Sequence, residues 1–65
     1  MISYEPFWKY IEKHNISQYQ LIKEYDISSS LLDKLRHNKN LRLSTLADLC
    51  VKLNCNIEDI VKIIK

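Results

Sequence analysis

The sequence predicts an all-α fold: a compact bundle of five short helices forming one domain over residues 1–65. Three observations predict it. The chain has no glycine and one proline, so the glycine-dependent turns of hairpins are unavailable, while Leu, Ile and Lys favour helix. Apolar residues recur at helical rather than alternating spacing in separate short segments. Serine or asparagine stands ahead of most of these segments and asparagine behind two of them, where helix starts and stops need them. At 65 residues the core is marginal unless the helices pack closely or a partner contributes.

Residues 1–5 read as a lead-in arm in which Ile2 and Tyr4 pack. Pro6 suits the first turn of a helix, where its missing N–H costs nothing. The first helix is expected over residues 6–14, with Phe7, Tyr10, Ile11 and His14 on one stripe and Trp8 at its margin. Core packing is expected of Trp8, Phe7, Tyr10, Leu46 and Leu49. Asn15 is the expected left-handed stop, and Ile16 is placed to pack on Leu21 as a hydrophobic staple.

Ser17 followed by Gln20 is a capping box that opens a second helix carrying Leu21, Ile22 and Tyr25. Ser28 opens a third, in which Leu31, Leu32 and Leu35 repeat that spacing. Asp26 and Ile27 alone separate Tyr25 from Ser28, with Ile27 as an apolar plug. The third helix must therefore leave at a steep angle for both stripes to reach one core, which is helix-turn-helix geometry. After Leu35 comes the polar run His37-Asn38-Lys39-Asn40, then an extended linker in which Leu41 and Leu43 alternate with Arg42. Ser44 is expected to cap a fourth helix over residues 45–53, striped by Leu46, Leu49, Cys50 and Leu53, with Asn54 as its stop. Asn56 is expected to cap a fifth helix. Its acids, Glu58 and Asp59, come first and Lys62 and Lys65 last, the order that the helix dipole favours, and Ile57, Ile60, Val61 and Ile64 line its apolar side.

The net charge of +2 is uninformative alone. Its distribution says more: from Asp33 to Arg42 the chain carries Lys34, Arg36, Lys39 and Arg42 against one acid, a local net of 4 − 1 = +3, and the rest holds six Lys and seven acids. Positive charge is thus concentrated at the end of the third helix and the loop after it, either a solvated loop or a nucleic-acid footprint. Cys50 and Cys55 match no strong zinc spacing and are expected to be small apolar residues in a reducing compartment, with no metal, disulfide or cofactor. No membrane-length apolar run and no secretory signal is read, so a cytoplasmic protein is expected. No catalytic cluster, phosphate-cradling glycine loop or evident small-molecule site is present, and no enzyme activity is expected.

The run I-S-Q-Y-Q-L opening the helix pair, L-x-x-L-R-H-N-K closing it, and S-T-L-A-D-L-C-V-K-L-N-C-N-I-E-D-I after it resemble the lambda repressor/Cro type (XRE-like) helix-turn-helix family, in its short stand-alone subgroup. The resemblance covers nearly the whole chain. It implies that Gln18 fixes a DNA phosphate, the alternative being a solvated helix-start residue, and that Ser29, Ser30 and Lys34 face base edges in the major groove. Arg36, Lys39 and Arg42 would clamp phosphates, with Asn38 and Tyr19 as further backbone contacts. Asn38 has turn formation as its commoner role, and Tyr19 is equally an exposed bystander. Asp33 is expected first as an ion-pair partner of Lys34 or His37, and His37 as an exposed loop residue. Two positions depart from the family: Asp26 stands where it usually has glycine, and Ile22 where it prefers alanine.

The implied function is sequence-specific binding of double-stranded DNA by a transcriptional regulator, most simply a repressor, inserting residues 29–37 in the major groove. A symmetric homodimer on a palindromic operator is expected, since one small domain reads few base pairs, and the fifth helix or the N-terminal arm is expected to contribute through Ile57, Ile63 and Ile64. The alternative is a helical protein-interaction module, such as an antitoxin-like or regulator-partner domain.

Overall fold

A computed structural model describes residues 1–65. In chain order it consists of strand β1 (Ile2–Ser3), helices α1 (Glu5–Lys13), α2 (Gln18–Lys23), α3 (Ser29–Arg36) and α4 (Leu43–Leu53), a 3₁₀ turn (Ile57–Asp59) and strand β2 (Lys62–Ile63). One core joins Tyr4, Phe7 and Ile11 to Leu21, Ile27, Leu32 and Leu35 of the helix pair, and to Leu46, Leu49, Leu53 and Ile60. No helix is long and apolar enough to cross a membrane.

The expected fifth helix is absent. Asn56 does open a turn, accepting the Asp59 N–H on its carbonyl at 3.0 Å, while its own N–H donates to the Asp59 carboxylate at 3.1 Å. The turn lasts three residues, and the chain then pairs antiparallel with the N-terminal arm, Ile2 opposite Ile63 and Ser3 opposite Lys62. The β-branched run Ile60-Val61-Lys62-Ile63-Ile64 suits a strand once a partner edge exists, and β1 supplies that edge. Ile60 is fully buried, and the spacing of Ile57, Ile60, Val61 and Ile64 is also compatible with a helix. The arm, read as a lead-in, is therefore half of a two-stranded sheet, and the fold is four helices with a small sheet.

Two helix starts also differ. α1 begins at Glu5, with Ser3 Oγ accepting the Glu5 N–H at 3.2 Å. α4 begins at Leu43, not after a Ser44 cap: Arg42 holds the cap position without a side-chain capping bond, and its carbonyl accepts from Thr45 at 3.0 Å and Leu46 at 3.1 Å. Leu43, expected in an extended linker, thus falls on the exposed side of a helix.

The stops follow one pattern. Asn15, Asp26, Asn38 and Asn54 all have left-handed backbones, with φ between 53° and 55°. After Asn15 the Ile16 N–H bonds back to Ile11 at 2.8 Å, after Asn38 the Lys39 N–H to Lys34 at 2.9 Å, and after Asn54 the Cys55 N–H to Cys50 at 3.0 Å. These are Schellman closures, in which a left-handed residue lets the chain turn back onto the last helical carbonyls. Asparagine and aspartate take this role with less strain than other residues bearing a Cβ. Cys50 and Cys55 are free and half-buried, and burial first, then the neighbouring Cys50, pushes the Cys55 thiol up to about 11.

Tyr4 ties the sheet to the α3–α4 loop. It is fully buried, its N–H donates to Asn38 Oδ1 at 2.9 Å and its hydroxyl donates to the Lys39 carbonyl at 2.6 Å. Burial pushes the phenol above its ordinary value and keeps it a donor. Tyr4→Phe leaves that carbonyl without its partner and is expected to cost about 1 kcal/mol, read as a fall in Tm of roughly 4–8 °C in thermal unfolding.

On the outside, Glu5 accepts from Lys62 at 3.2 Å and lies 3.3 Å from Lys9. These two ammonium groups, Lys62 foremost, hold its carboxyl below the ordinary range. A folded-state value below the unfolded one contributes stability above the unfolded value and loses it as pH falls through the folded one. The difference in urea midpoint between wild type and Glu5→Gln is expected to be present at neutral pH and to close as pH falls below the ordinary carboxylate range.

Candidate nucleic-acid interface

The helix pair is set by its caps. Ser17 Oγ accepts the Gln20 N–H at 3.1 Å and Gln20 Oε1 accepts the Ser17 N–H at 2.9 Å, the reciprocal box that starts α2. Asp26 then turns the chain with its left-handed backbone, and the Ile27 N–H donates to the Leu21 carbonyl at 2.9 Å. Ile27 itself is buried as the plug of the turn. Ser28 Oγ accepts the Leu31 N–H at 3.1 Å and starts α3. Lys52 of α4 fastens the turn from outside by donating to the Asp26 carbonyl at 2.9 Å, a contact that nothing in the local pattern foretold. Of the two departures, Asp26 adopts a left-handed backbone with φ 55°, and Ile22 stands 41% exposed rather than filling the core.

With Leu32 and Leu35 buried and Leu31 half-buried, α3 turns Ser29, Ser30, Asp33 and Lys34 to solvent. The face is short and polar, flanked by cations. Lys34, Lys39 and Arg42 are exposed and none has an acidic partner within 4.0 Å, so their charge stays available for an anion. Asp33 is spent locally, 3.5 Å from His37 and 3.8 Å from Arg36, where the sequence suggested Lys34 or His37. Tyr19 is 69% exposed, with the Lys23 ammonium 5.9 Å from its ring.

Two of the expected phosphate residues meet. Arg36, the last residue of α3, donates from Nη2 to Gln18 Oε1, the first residue of α2, at 2.6 Å. The Arg36 guanidinium also lies 5.6 Å from the centre of the Trp8 ring on α1. Trp8, expected in the core, is only half-buried. An aromatic at the margin of an apolar stripe was the available signal, since a ring there has one face on the core and one free. Asn38 is committed to structure through its carboxamide oxygen, leaving its amide N–H groups as the donors for any other contact. No three His, Cys, Asp or Glu side chains cluster as metal ligands.

This arrangement has a known counterpart. The Cro/C1-type HTH DNA-binding domain family matches residues 7–65 of the chain. The crystal structure of transcriptional regulator VanUg, Form II, is similar to it with a TM-score of 0.80 and 31% sequence identity, covering 94% of this chain and 81% of that one. No curated protein matches the chain. The capped pair α2 and α3, the buried plug between them and the match over residues 7–65 place the protein in the Cro/C1-type helix-turn-helix DNA-binding domain family.

Proposed function

We propose that the protein is a sequence-specific transcriptional regulator, most simply a repressor, that lays α3 in the major groove of double-stranded DNA. The observation that carries this reading is the open polar face of α3 beside three cations without acidic partners. Ser29, Ser30 and Lys34 read base edges. Gln18, Arg36, Lys39 and Arg42 hold phosphates on either side, with Tyr19 and the Asn38 amide as outer contacts. The similarity to VanUg, a transcriptional regulator by its title, supports the regulatory role.

Phosphate contacts are independent of sequence and steeply dependent on salt, because each neutralised phosphate releases counterions. Selection of bound duplexes from a random pool, followed by anisotropy titration, is expected to give one preferred site. Arg36→Ala and Lys39→Ala are each expected to weaken binding on every sequence and to reduce the salt slope by about 1, whereas Lys34→Ala relaxes preference at one position. Absence of binding even at low salt sinks the reading and favours a protein-interaction module.

The operator we expect is palindromic and the bound species a symmetric homodimer. What supports this is the β1–β2 pair, where Met1 is 93%, Ile63 74% and Ile64 44% exposed, apolar surface that a second copy could cover. Sedimentation is expected to show a dimer, and a monomer persisting at high micromolar concentration counts against it.

A further inference from the structure

Trp8, on α1 and outside the helix pair, has no assigned part in DNA binding. We propose that it is a positioning residue for that function: its ring holds the Arg36 guanidinium so that Arg36 and Gln18 form one preset phosphate clamp. The inference rests on the DNA-binding reading above.

The contacts run outward from the core. Phe7 is fully buried and meets Trp8 edge to face, with centroids 4.9 Å apart and planes at 79°. Trp8 is thereby fixed in orientation, and its ring lies 5.6 Å from the Arg36 guanidinium carbon. Gln18 Oε1 takes one N–H at 2.6 Å, and Asp33 lies 3.8 Å from Nη1. Three helices thus converge on one exposed cation at the C-terminal end of α3.

The chemistry of the two contacts is complementary. An aromatic ring engages a guanidinium through its faces, whereas a phosphate takes the N–H groups in the plane, along the edge. The ring therefore restricts the side chain, while the N–H groups that point neither at the ring nor at Gln18 remain available for the phosphate. Gln18 spends its oxygen on Arg36 and keeps its amide N–H groups, so both residues can donate to the same phosphate. Asp33 competes weakly, being exposed and shared with His37 at 3.5 Å. A long cation at a helix end is otherwise mobile, and holding it in advance removes ordering that binding would have to supply.

The test is a double-mutant cycle on a random-sequence duplex at low salt, where phosphate contacts dominate. Trp8→Leu is expected to weaken binding about three- to tenfold, Trp8→Phe to restore most of the loss, and Trp8→Leu to add little once R36A is present. Equal loss with and without R36A means that Trp8 acts through general packing and overturns the proposal. Should W8L fail to fold, Arg36→Lys tests the same contact from the other side, since it keeps the charge and lacks the planar group that stacks. A several-fold loss in R36K supports the clamp, and wild-type affinity in R36K overturns it. Wild-type protein that binds no duplex at low salt overturns the DNA-binding reading and this inference together, whereas binding that is indifferent to W8L overturns this inference alone.

Discussion

Four chain reversals without glycine are the constraint on which this domain is built. Helices of six to eleven residues leave little room for gradual turns, so each reversal is made by one residue in the left-handed region. Asn15, Asp26, Asn38 and Asn54 bear that conformation, and two of these positions do a second task. Asn38 accepts from the Tyr4 backbone, and Asp26 lends its carbonyl to Lys52. The angle between α2 and α3 follows from Asp26 and from the Ile27 side chain driven into the core immediately after it. That angle decides which side of α3 meets water, and hence which residues can meet DNA.

Charge and geometry are supplied by different parts of the chain. Leu32 and Leu35 turn α3 so that short polar groups face outward, while the cations lie at its end and in the following loop. The Asp33 carboxylate compensates Arg36 in part, while Lys34, Lys39 and Arg42 are free of acidic partners. In the proposed binding mode the helix would set orientation and the loop would supply much of the attraction. In that mode, a short, serine-rich face with strong flanking cations would place more of the affinity in the phosphates than in the bases.

The caps were legible because capping is local chemistry. Ser17, Gln20 and Ser28 lie within three residues of the N–H groups they satisfy, so sequence spacing and spatial distance coincide. Asn15 and Asn54 were readable as stops for the same reason. The C-terminal segment was not, because its stripe of Ile57, Ile60, Val61 and Ile64 is compatible with either backbone, and the choice depended on Met1 to Ser3 arriving alongside from the far end of the chain. Ser44 failed as a cap because the Arg42 carbonyl, already in place, began the helix two residues earlier. In the interface, exposure of α3 was legible from its leucines. The meeting of Arg36 with Gln18 and Trp8 was not, since it joins three helices and has no signature in any one of them.

The contacts of Tyr4 have a consequence for motion. The N-terminal ammonium lies 3.4 Å from the Ile64 carbonyl, and closing strands that far apart in sequence forfeits more chain entropy than any helix-to-helix turn in the domain. The two-stranded sheet is thus the segment expected to open first in native-state fluctuations. Tyr4 follows that sheet directly and is bonded to Asn38 and Lys39, so opening at the ends withdraws two hydrogen bonds from the loop that carries the cations. Amide exchange in the α3–α4 loop should consequently track exchange at β1 more closely than exchange at the nearer helix α4. Distance along the chain is then a poor guide to which parts of this domain breathe together.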